Sequence, residues 1–386
     1  MQGDILIDIS RLLSRLAQGH QPTGVDRVCL AYCAHWGGRA QAVVQRGSWR
    51  RILSPRASQE LFAILRTPHP DFRRRARHAM ARALLPPWPS QDAAGRPAFY
   101  LGHAGMEAPG FVDWIRATRQ RPVYFIHDLI PVTHAEYCRA GERNAHERRL
   151  QVMLQAPGGL ISNSRTTLET LAAWAGHRQL RMPPAVVASL APAPLLAPPQ
   201  APPPIEAPYF VVLGTIEPRK NHLLLLNLWR ELVGQLGTAV PHLVLIGRRG
   251  WECENVVDML ERCEPLRGCV HEIAACDDRT LAHYLHHARA LLFPSFAEGF
   301  GMPLVEALLL GIPVVASALP VFQEIAGSVP DYLSPIDGPG WMRAVQDYAN
   351  APSLRRDAQL QRMQGFPMPT WDAHFAQVEQ LLERLG

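Results

Sequence analysis

From residue 209 onward the chain alternates short, uninterrupted apolar runs with longer amphipathic stretches, and few folds accept that pattern. YFVVLG at 209–214 ends in glycine and is followed by NHLLLLNLWRELVGQL at helical length. HLVLIG at 242–247 ends the same way before WECENVVDMLERCE; then come VHEIA, DDRTLAHYLHHA, ALLFPS, a helix opening at Pro303, and IPVVAS at 312–317. A strand that is apolar on both faces must be covered on both, so runs of this kind belong to a parallel sheet with helices on either side. The expected body is doubly wound, and such bodies bind ligands beyond the carboxyl ends of their strands.

The first half is less regular but reads in the same units. DILIDIS, PAFYLG at 97–102, PVYFIHD at 122–128 and GGLISNS at 158–164 are strand-and-loop candidates. GVDRVCLAYCAHW after the PTG turn is a helix, and THAEYCRAGERNAHERRLQVMLQ is expected to form one long helical region. A second doubly wound domain fits. Between the halves lies APAPLLAPPQAPPPIEAP, 191–208, too rich in proline for a helix or a central strand and suited to an extended connector. The expected organisation is therefore a first domain at 1–190, a linker at 191–208, a second domain at 209–368 and a closing helix within 369–386. A length of 386 residues suits two domains.

Composition narrows the setting. No stretch approaches the roughly 18 apolar residues of a membrane span, and the acidic MQGDILIDIS is not a signal peptide. Seven cysteines, odd in number and without a CxxC pair, read as reduced thiols, and no metal site is expected. The net charge of +5 divides into +12 over residues 1–190 and −7 over the rest. A basic first half suits an anionic partner such as a membrane surface or a phosphorylated lipid; a solvated basic surface is the alternative. No nucleic-acid-binding module is present. DFRRRARHAMARALL, 71–85, is a basic amphipathic helix that could rest on an anionic bilayer or pack its apolar stripe on the core. The expected location is the cytoplasm, with peripheral contact at the inner face of the membrane. Lys220 is the only lysine, against 38 arginines. Lysine is a compact point charge and arginine a wide planar fork, so one reading of a lone lysine is a place where the fork does not fit; chance survival is the alternative.

Two motifs carry chemistry. In PSFAEGFGMPLVEALLLGIPVVAS, 294–317, a strand gives way to a glycine-containing loop and then to a helix that Pro303 can open. The amides of Gly301, Met302 and Leu304 would face outward at the positive end of that helix and suit a phosphate. Gly299 and Gly301 let the backbone approach a ligand closely. Glu298 precedes the helix and Glu306 is expected in its first turn. Two carboxylates beside an anion would repel it, so they are better placed to accept hydrogen bonds from the paired hydroxyls of a sugar and a ribose. The alternative for Glu306 is a helix-start acid. In LGTIEPRKNHLLLL, 213–226, the strand ends at Gly214, and Arg219 and Lys220 stand in the loop that follows. Two cations there suit a diphosphate, each unit pair being worth on the order of 4 kcal/mol at about 4 Å and an effective dielectric near 20.

In this order and spacing the two motifs resemble the family-4 retaining glycosyltransferases of the GT-B fold, over roughly residues 209–350. Glu298 and Glu306, separated by seven residues, match that family's signature, and GTIEPRKN matches the loop of its mannosyltransferase-like members. The resemblance implies two Rossmann-like domains facing across a cleft. It implies that Glu298 contacts the donor sugar, that Glu306 holds the ribose and that Arg219 and Lys220 hold the diphosphate. The donor-binding set is then Gly214, Arg219, Lys220, Glu298, Gly299, Phe300, Gly301, Met302, Pro303, Leu304 and Glu306. PTGVDRV at 22–28 resembles the family's first glycine-rich loop and contributes Gly24. YFIHDLIPVTHAEY resembles the segment whose histidine reaches the transferred sugar, which suggests His127; a structural turn is the alternative. The implied reaction moves a hexose, with retention, from a nucleoside diphosphate sugar to an acceptor hydroxyl without metal or other cofactor. GDP-mannose is the expected donor, with UDP- and dTDP-sugars open. A polyprenyl-diphosphate-linked saccharide in bacterial polysaccharide synthesis is the expected acceptor. The competing class is a GT-B protein without turnover, serving as a binding or scaffold subunit.

Overall fold

The computed structural model describes residues 4–67, 71–83, 90–156, 158–192 and 201–386. Two compact units result: one from Met1–Val132, Ala140–Leu190 and Trp371–Gly386, the other from Thr133–Arg139 and Ala191–Thr370. Of the proline-rich stretch 191–208, residues 193–200 lie outside the described residues, as do 84–85 of the basic segment. Among the described residues no helix is long and apolar enough to cross a membrane.

The first unit is built on a seven-stranded sheet. Its strands are β1 (Ile5–Asp8), β2 (Ala40–Arg46), β3 (Trp49–Ile52), β4 (Pro97–Tyr100), β5 (Arg121–Ile126), β6 (Gly159–Ser162) and β7 (Ala185–Val187). Their order is β3-β2-β1-β4-β5-β6-β7, all neighbours parallel except the antiparallel β2–β3 pair. That hairpin was not foreseen, because QAVVQRGSWRRI mixes polar residues into what becomes an edge. The second unit has β8 (Tyr209–Leu213), β9 (His242–Ile246), β10 (Val270–Ile273), β11 (Leu291–Phe293), β12 (Val314–Ser317) and β13 (Asp331–Leu333). All its pairs are parallel, in the order β10-β9-β8-β11-β12-β13. Strand order reverses between β8 and β11, and in open parallel sheets the ligand crevice lies outside the carboxyl ends at that reversal.

Three local outcomes differ from the sequence expectation. The long helical region expected over 133–155 breaks into a short turn at Ala135–Tyr137 and a helix at Glu142–Gln155, with another short turn, Ile130–Thr133, leading into it. Gly141 has φ +83°, a left-handed conformation that ends helix continuity there. The helix of the second motif begins at Met302, one residue before Pro303. Glu306 therefore stands on the turn after the first, not in it.

The basic helix, Phe72–Ala83, buries Ala76 and Ala79 and leaves Arg73, Arg74, Arg75 and Arg77 exposed. Its small apolar stripe faces the protein, so the outward face is cationic. The closing helix, Trp371–Leu385, belongs to the first unit: His374 Nε2 lies 3.0 Å from the Tyr32 hydroxyl, and Phe375 stacks on His35 at 3.8 Å.

Burial holds His127, His222 and His374 neutral. It pushes His127 and His374 down to about 4 and His222 to about 3, the nearby Lys220 adding to the last. A base whose folded pKa is depressed stabilises the fold fully only above its unfolded pKa near 6.5, and that contribution shrinks as pH falls toward the folded value. Thermal melts are thus expected to lose about 2 kcal/mol in total from these rings between about pH 7 and pH 6. Melting temperatures unchanged over that interval would contradict their burial as neutral bases.

Candidate functional site

At the strand-order reversal of the second unit, the loop after β8 meets the loop after β11. Gly214 has φ +142°, which turns the chain away from β8. Pro218–Lys220 then form a single 3-10 turn, and Asn221, at φ +56°, redirects the chain into the helix His222–Leu236. Asn221 Nδ2 donates to the carbonyls of Pro294 and Pro335 at 3.2 and 2.8 Å. The Phe296 amide donates to the Arg219 carbonyl at 2.8 Å. These side-chain and main-chain hydrogen bonds hold together loops that place Lys220 beside a residue 78 positions away in sequence.

The result is a buried charge network. Lys220 Nζ lies 2.6 Å from Glu298 Oε1, and Arg219 Nη1 lies 2.9 Å from Glu298 Oε2. Ser295 Oγ donates to Glu298 at 2.8 Å, and Arg219 Nη1 also donates to the Ala297 carbonyl at 3.0 Å. On its other side Arg219 Nε meets Glu217 Oε1 at 2.6 Å. Burial alone would raise the Glu298 carboxyl, but Arg219 and Lys220 outweigh it and bring it down to about 2. For Lys220 the order is opposite: burial lowers its ammonium more than Glu298 restores it. Its Nζ also sits 4.8 Å above the Phe293 ring. The stem runs along Gly214, where a Cβ would come within 3.2 Å of the lysine Cε. A point charge thus sits in a narrow place, packed between the Gly214 backbone, Glu298 and the Phe293 ring.

The sequence assigned carboxylates to hydroxyls and cations to phosphates as separate tasks. The fold joins them: Glu298 is the counter-ion of both Arg219 and Lys220. Glu217, 4% exposed, was missed although it lies inside GTIEPRKN, because spacing alone does not say that it bonds the arginine. Gly301, at φ +106°, caps the following helix, and a Cβ there would press on Phe322 at 2.6 Å. Phe300, Leu304 and Glu306 are buried, while Gly299, Met302 and Pro303 are half-buried. The Leu304 amide, expected to face a phosphate, instead donates to the Gly301 carbonyl at 3.0 Å. That narrows the outward amides of this helix start to those before residue 304.

The first unit has its own strand-order reversal, between β1 and β4, and a cavity of 430 Å³ lies there. Its lining includes Arg11, His103, Glu107, His127, Glu142, His146 and Arg149. His127 Nε2 lies 2.7 Å from the Leu101 carbonyl, His103 Nε2 2.6 Å from that of Phe125, and His146 Nε2 3.1 Å from that of Asp128. A carbonyl only accepts, so each ring donates its Nε2–H, and the neutral tautomer leaves Nδ1 as an acceptor. Burial depresses all three, and for His103 the neighbouring His127 and His146 add to it. Arg149 spans Glu107 and Glu142 at 2.8 and 2.7 Å, and the buried Arg149 Nε and Glu107 Oε2 have no hydrogen-bond partner among the described residues. Gly24 opens the helix Gly24–Trp36, whose start is fixed by Asp26 Oδ2 accepting from the Thr23 amide and hydroxyl at 2.8 and 2.7 Å. Asp26 also faces Arg11 and Arg15 at 3.3 and 2.8 Å. Gly24's neighbour Val25 lines the cavity. His103 and His146 were not singled out from the sequence, but one signal was there: LGH after β4 repeats the strand-then-histidine pattern of FIH after β5.

Parts of the chain resemble known proteins. Residues 198–329 match the family described as glycosyl transferases group 1, a span that contains Gly214, Arg219, Lys220, Glu298 and Glu306. The second unit carries a glycosyl transferases group 1 domain. The chain is 28% identical over 234 residues to the serotype-specific mannosyltransferase WbdA of Escherichia coli, covering 56% of this chain and 28% of that protein. It is 36% identical over 119 residues to O-antigen chain mannosyltransferase B of Escherichia coli, covering 31% of each. The matched span is thus under a third of the length of these relatives. Among solved structures, Anabaena HepE in complex with UDP-glucose superposes with a TM-score of 0.67 at 14% identity, over 99% of this chain and 98% of that one. The architecture is that of the GT-B fold, two Rossmann-like bodies, and the group 1 domain supplies the second of them.

Proposed function

We propose that this chain is a retaining family-4 glycosyltransferase that moves mannose from GDP-mannose to a hydroxyl of a lipid-linked saccharide in bacterial surface-polysaccharide assembly. The observation that carries the proposal is the network of Arg219, Lys220 and Glu298 at the strand-order reversal, within the group 1 domain. Arg219 and Lys220 hold the diphosphate, and their attraction grows as the leaving group gains charge. Glu298 keeps both cations in place and accepts from a hydroxyl of the donor sugar; Glu306 accepts from the ribose. In the first unit, neutral imidazoles offer acceptors to sugar hydroxyls, with His127 nearest to the role the family resemblance implies. The departing phosphate takes the acceptor proton on the face it leaves, so the protein's part is placement and charge stabilisation. The mannose donor is favoured by the likeness to mannosyltransferases of O-antigen synthesis. A lipid-linked acceptor and peripheral membrane contact are favoured by the exposed arginines of the helix Phe72–Ala83.

The test is incubation with GDP-mannose, UDP-sugars and dTDP-rhamnose, scored for transfer and for thermal stabilisation, with and without EDTA. Transfer or hydrolysis is expected with GDP-mannose and is expected to survive EDTA, since two cationic side chains serve the diphosphate. Binding of a sugar nucleotide with no turnover on any saccharide acceptor would favour a scaffold subunit. A strict metal requirement would remove the electrostatic role given to Arg219 and Lys220.

A further inference from the structure

The four charged groups at the proposed diphosphate site sum to zero when all are ionised: Arg219 and Lys220 against Glu217 and Glu298. A neutral cluster has little to offer a diphosphate, and its carboxylates repel one. At about 4 Å and an effective dielectric near 20, each such carboxylate costs on the order of what each cation supplies. Loss of one negative charge from the cluster would therefore strengthen binding.

The two carboxylates are not equivalent. Glu298 is met by Arg219, by Lys220 and by the Ser295 hydroxyl, and its ionised form is well held. Glu217 is 4% exposed and meets the same guanidinium, its Oε1 lying 2.6 Å from Arg219 Nε, on the side away from Lys220's partner Glu298. We propose, on the basis of the donor reading above, that Glu217 takes up a proton from solvent when a nucleotide diphosphate binds, so that the Arg219–Lys220 pair is released from excess carboxylate charge and turned to the phosphates. Glu217 is then a positioning residue that acts through Arg219. The step is a proton transfer from water to a Glu217 oxygen, with no bond made to the ligand.

The surroundings favour this. Burial already raises the Glu217 carboxyl, and Glu298 raises it further, against the lowering by Arg219 and Lys220. From the next loop, Ile216 bonds the Arg248 carbonyl at 2.9 Å and bridges Arg249, whose guanidinium is committed to Glu261 and Glu272. From the following helix comes His222, held neutral by burial. An arriving diphosphate adds negative charge beside Glu217, and the protonated form gains.

The test is calorimetric titration of GDP-mannose, with UDP-glucose in parallel, against the full chain from about pH 6 to about pH 8.5, where one-proton linkage changes affinity about tenfold per pH unit. The diphosphate of a nucleotide sugar is esterified at both ends and does not itself titrate there. Affinity is expected to weaken as pH rises through part of this range, and Glu217→Gln, which keeps the shape and an acceptor for Arg219, is expected to flatten the profile. Buffers of different ionisation enthalpy should report uptake of about one proton by the unaltered chain, a readout independent of whether the variant folds. A flat profile with no proton uptake, while the nucleotide sugar still binds, overturns this inference and leaves the donor reading intact. An unchanged slope in a folded Glu217→Gln variant overturns the assignment to Glu217. Failure of every sugar nucleotide to bind overturns both.

Discussion

Lys220→Ala is expected to lower kcat by about 10²-fold or more, and Glu298→Ala by a comparable factor, each equivalent to a loss of about 2.7 kcal/mol in transition-state stabilisation. Lys220 is 7% exposed and its Nζ is fixed between Glu298 and the Phe293 ring. A cation held in so dry a place interacts more strongly with a departing phosphate than the same cation in water. Lys220→Arg is not expected to restore activity, because a wide planar fork would replace a compact charge held between Glu298 and the Phe293 ring. Glu298→Ala has a second consequence: it leaves the buried Lys220 and the half-buried Arg219 without their shared counter-ion, and breaking a buried pair costs about 3–5 kcal/mol. Glu298→Gln separates the effects, since it keeps the shape and hydrogen-bonding capacity while removing the charge. Steady-state kinetics alongside thermal melts would distinguish them. Near-normal turnover in both Lys220→Ala and Glu298→Ala would overturn the site.

Gly247→Ala is expected to destabilise the second unit by about 3 kcal/mol, at the upper end of overpacking costs, and to abolish nucleotide-sugar binding. Gly247 follows β9, and its added Cβ would lie 2.0 Å from the Gly214 carbonyl oxygen. No rotamer relieves a clash with backbone, so the ends of β8 and β9 must part. Gly214 is the residue against which Lys220 is packed, and the bond from its amide to the Ile246 carbonyl, 3.0 Å, ties the two strand ends together. Parting them displaces the loop that carries both cations. Gly234→Ala is the matched control: it lies on the helix His222–Leu236 with nothing within 4 Å of its added Cβ, and no loss of stability is expected. A melting temperature unchanged in Gly247→Ala would show that the strand ends can separate freely, contrary to the packing described.

The architecture of the second unit was legible because both faces of its sheet are covered. Strands such as YFVVL and HLVLI are then apolar over four or more consecutive positions and are followed by glycine. The first unit was less legible where that condition fails. The β2–β3 hairpin ends on an edge, half of it meets solvent, and its sequence carries the arginines that an edge tolerates. The helix after residue 133 was drawn too long because a glycine in a helical pattern does not announce its backbone sign; only the chain around Gly141 fixes it.

Spacing along the chain was enough to place glycine, proline, carboxylate and cation on two loops of the second unit. The sequence by itself also determined that Lys220 is singular. It did not determine that Lys220, Arg219 and Glu298 form one network, or that Glu217 shares it. Those contacts join positions about 78 apart in the chain, and their geometry depends on strand order and on the turns at Gly214 and Asn221. Likewise, three separate histidines became one cavity wall only when β4 and β5 were laid side by side and the helix Glu142–Gln155 brought up the third. Local spacing fixes the type and order of functional groups, whereas distance between them is a property of the sheet, and charge compensation follows distance.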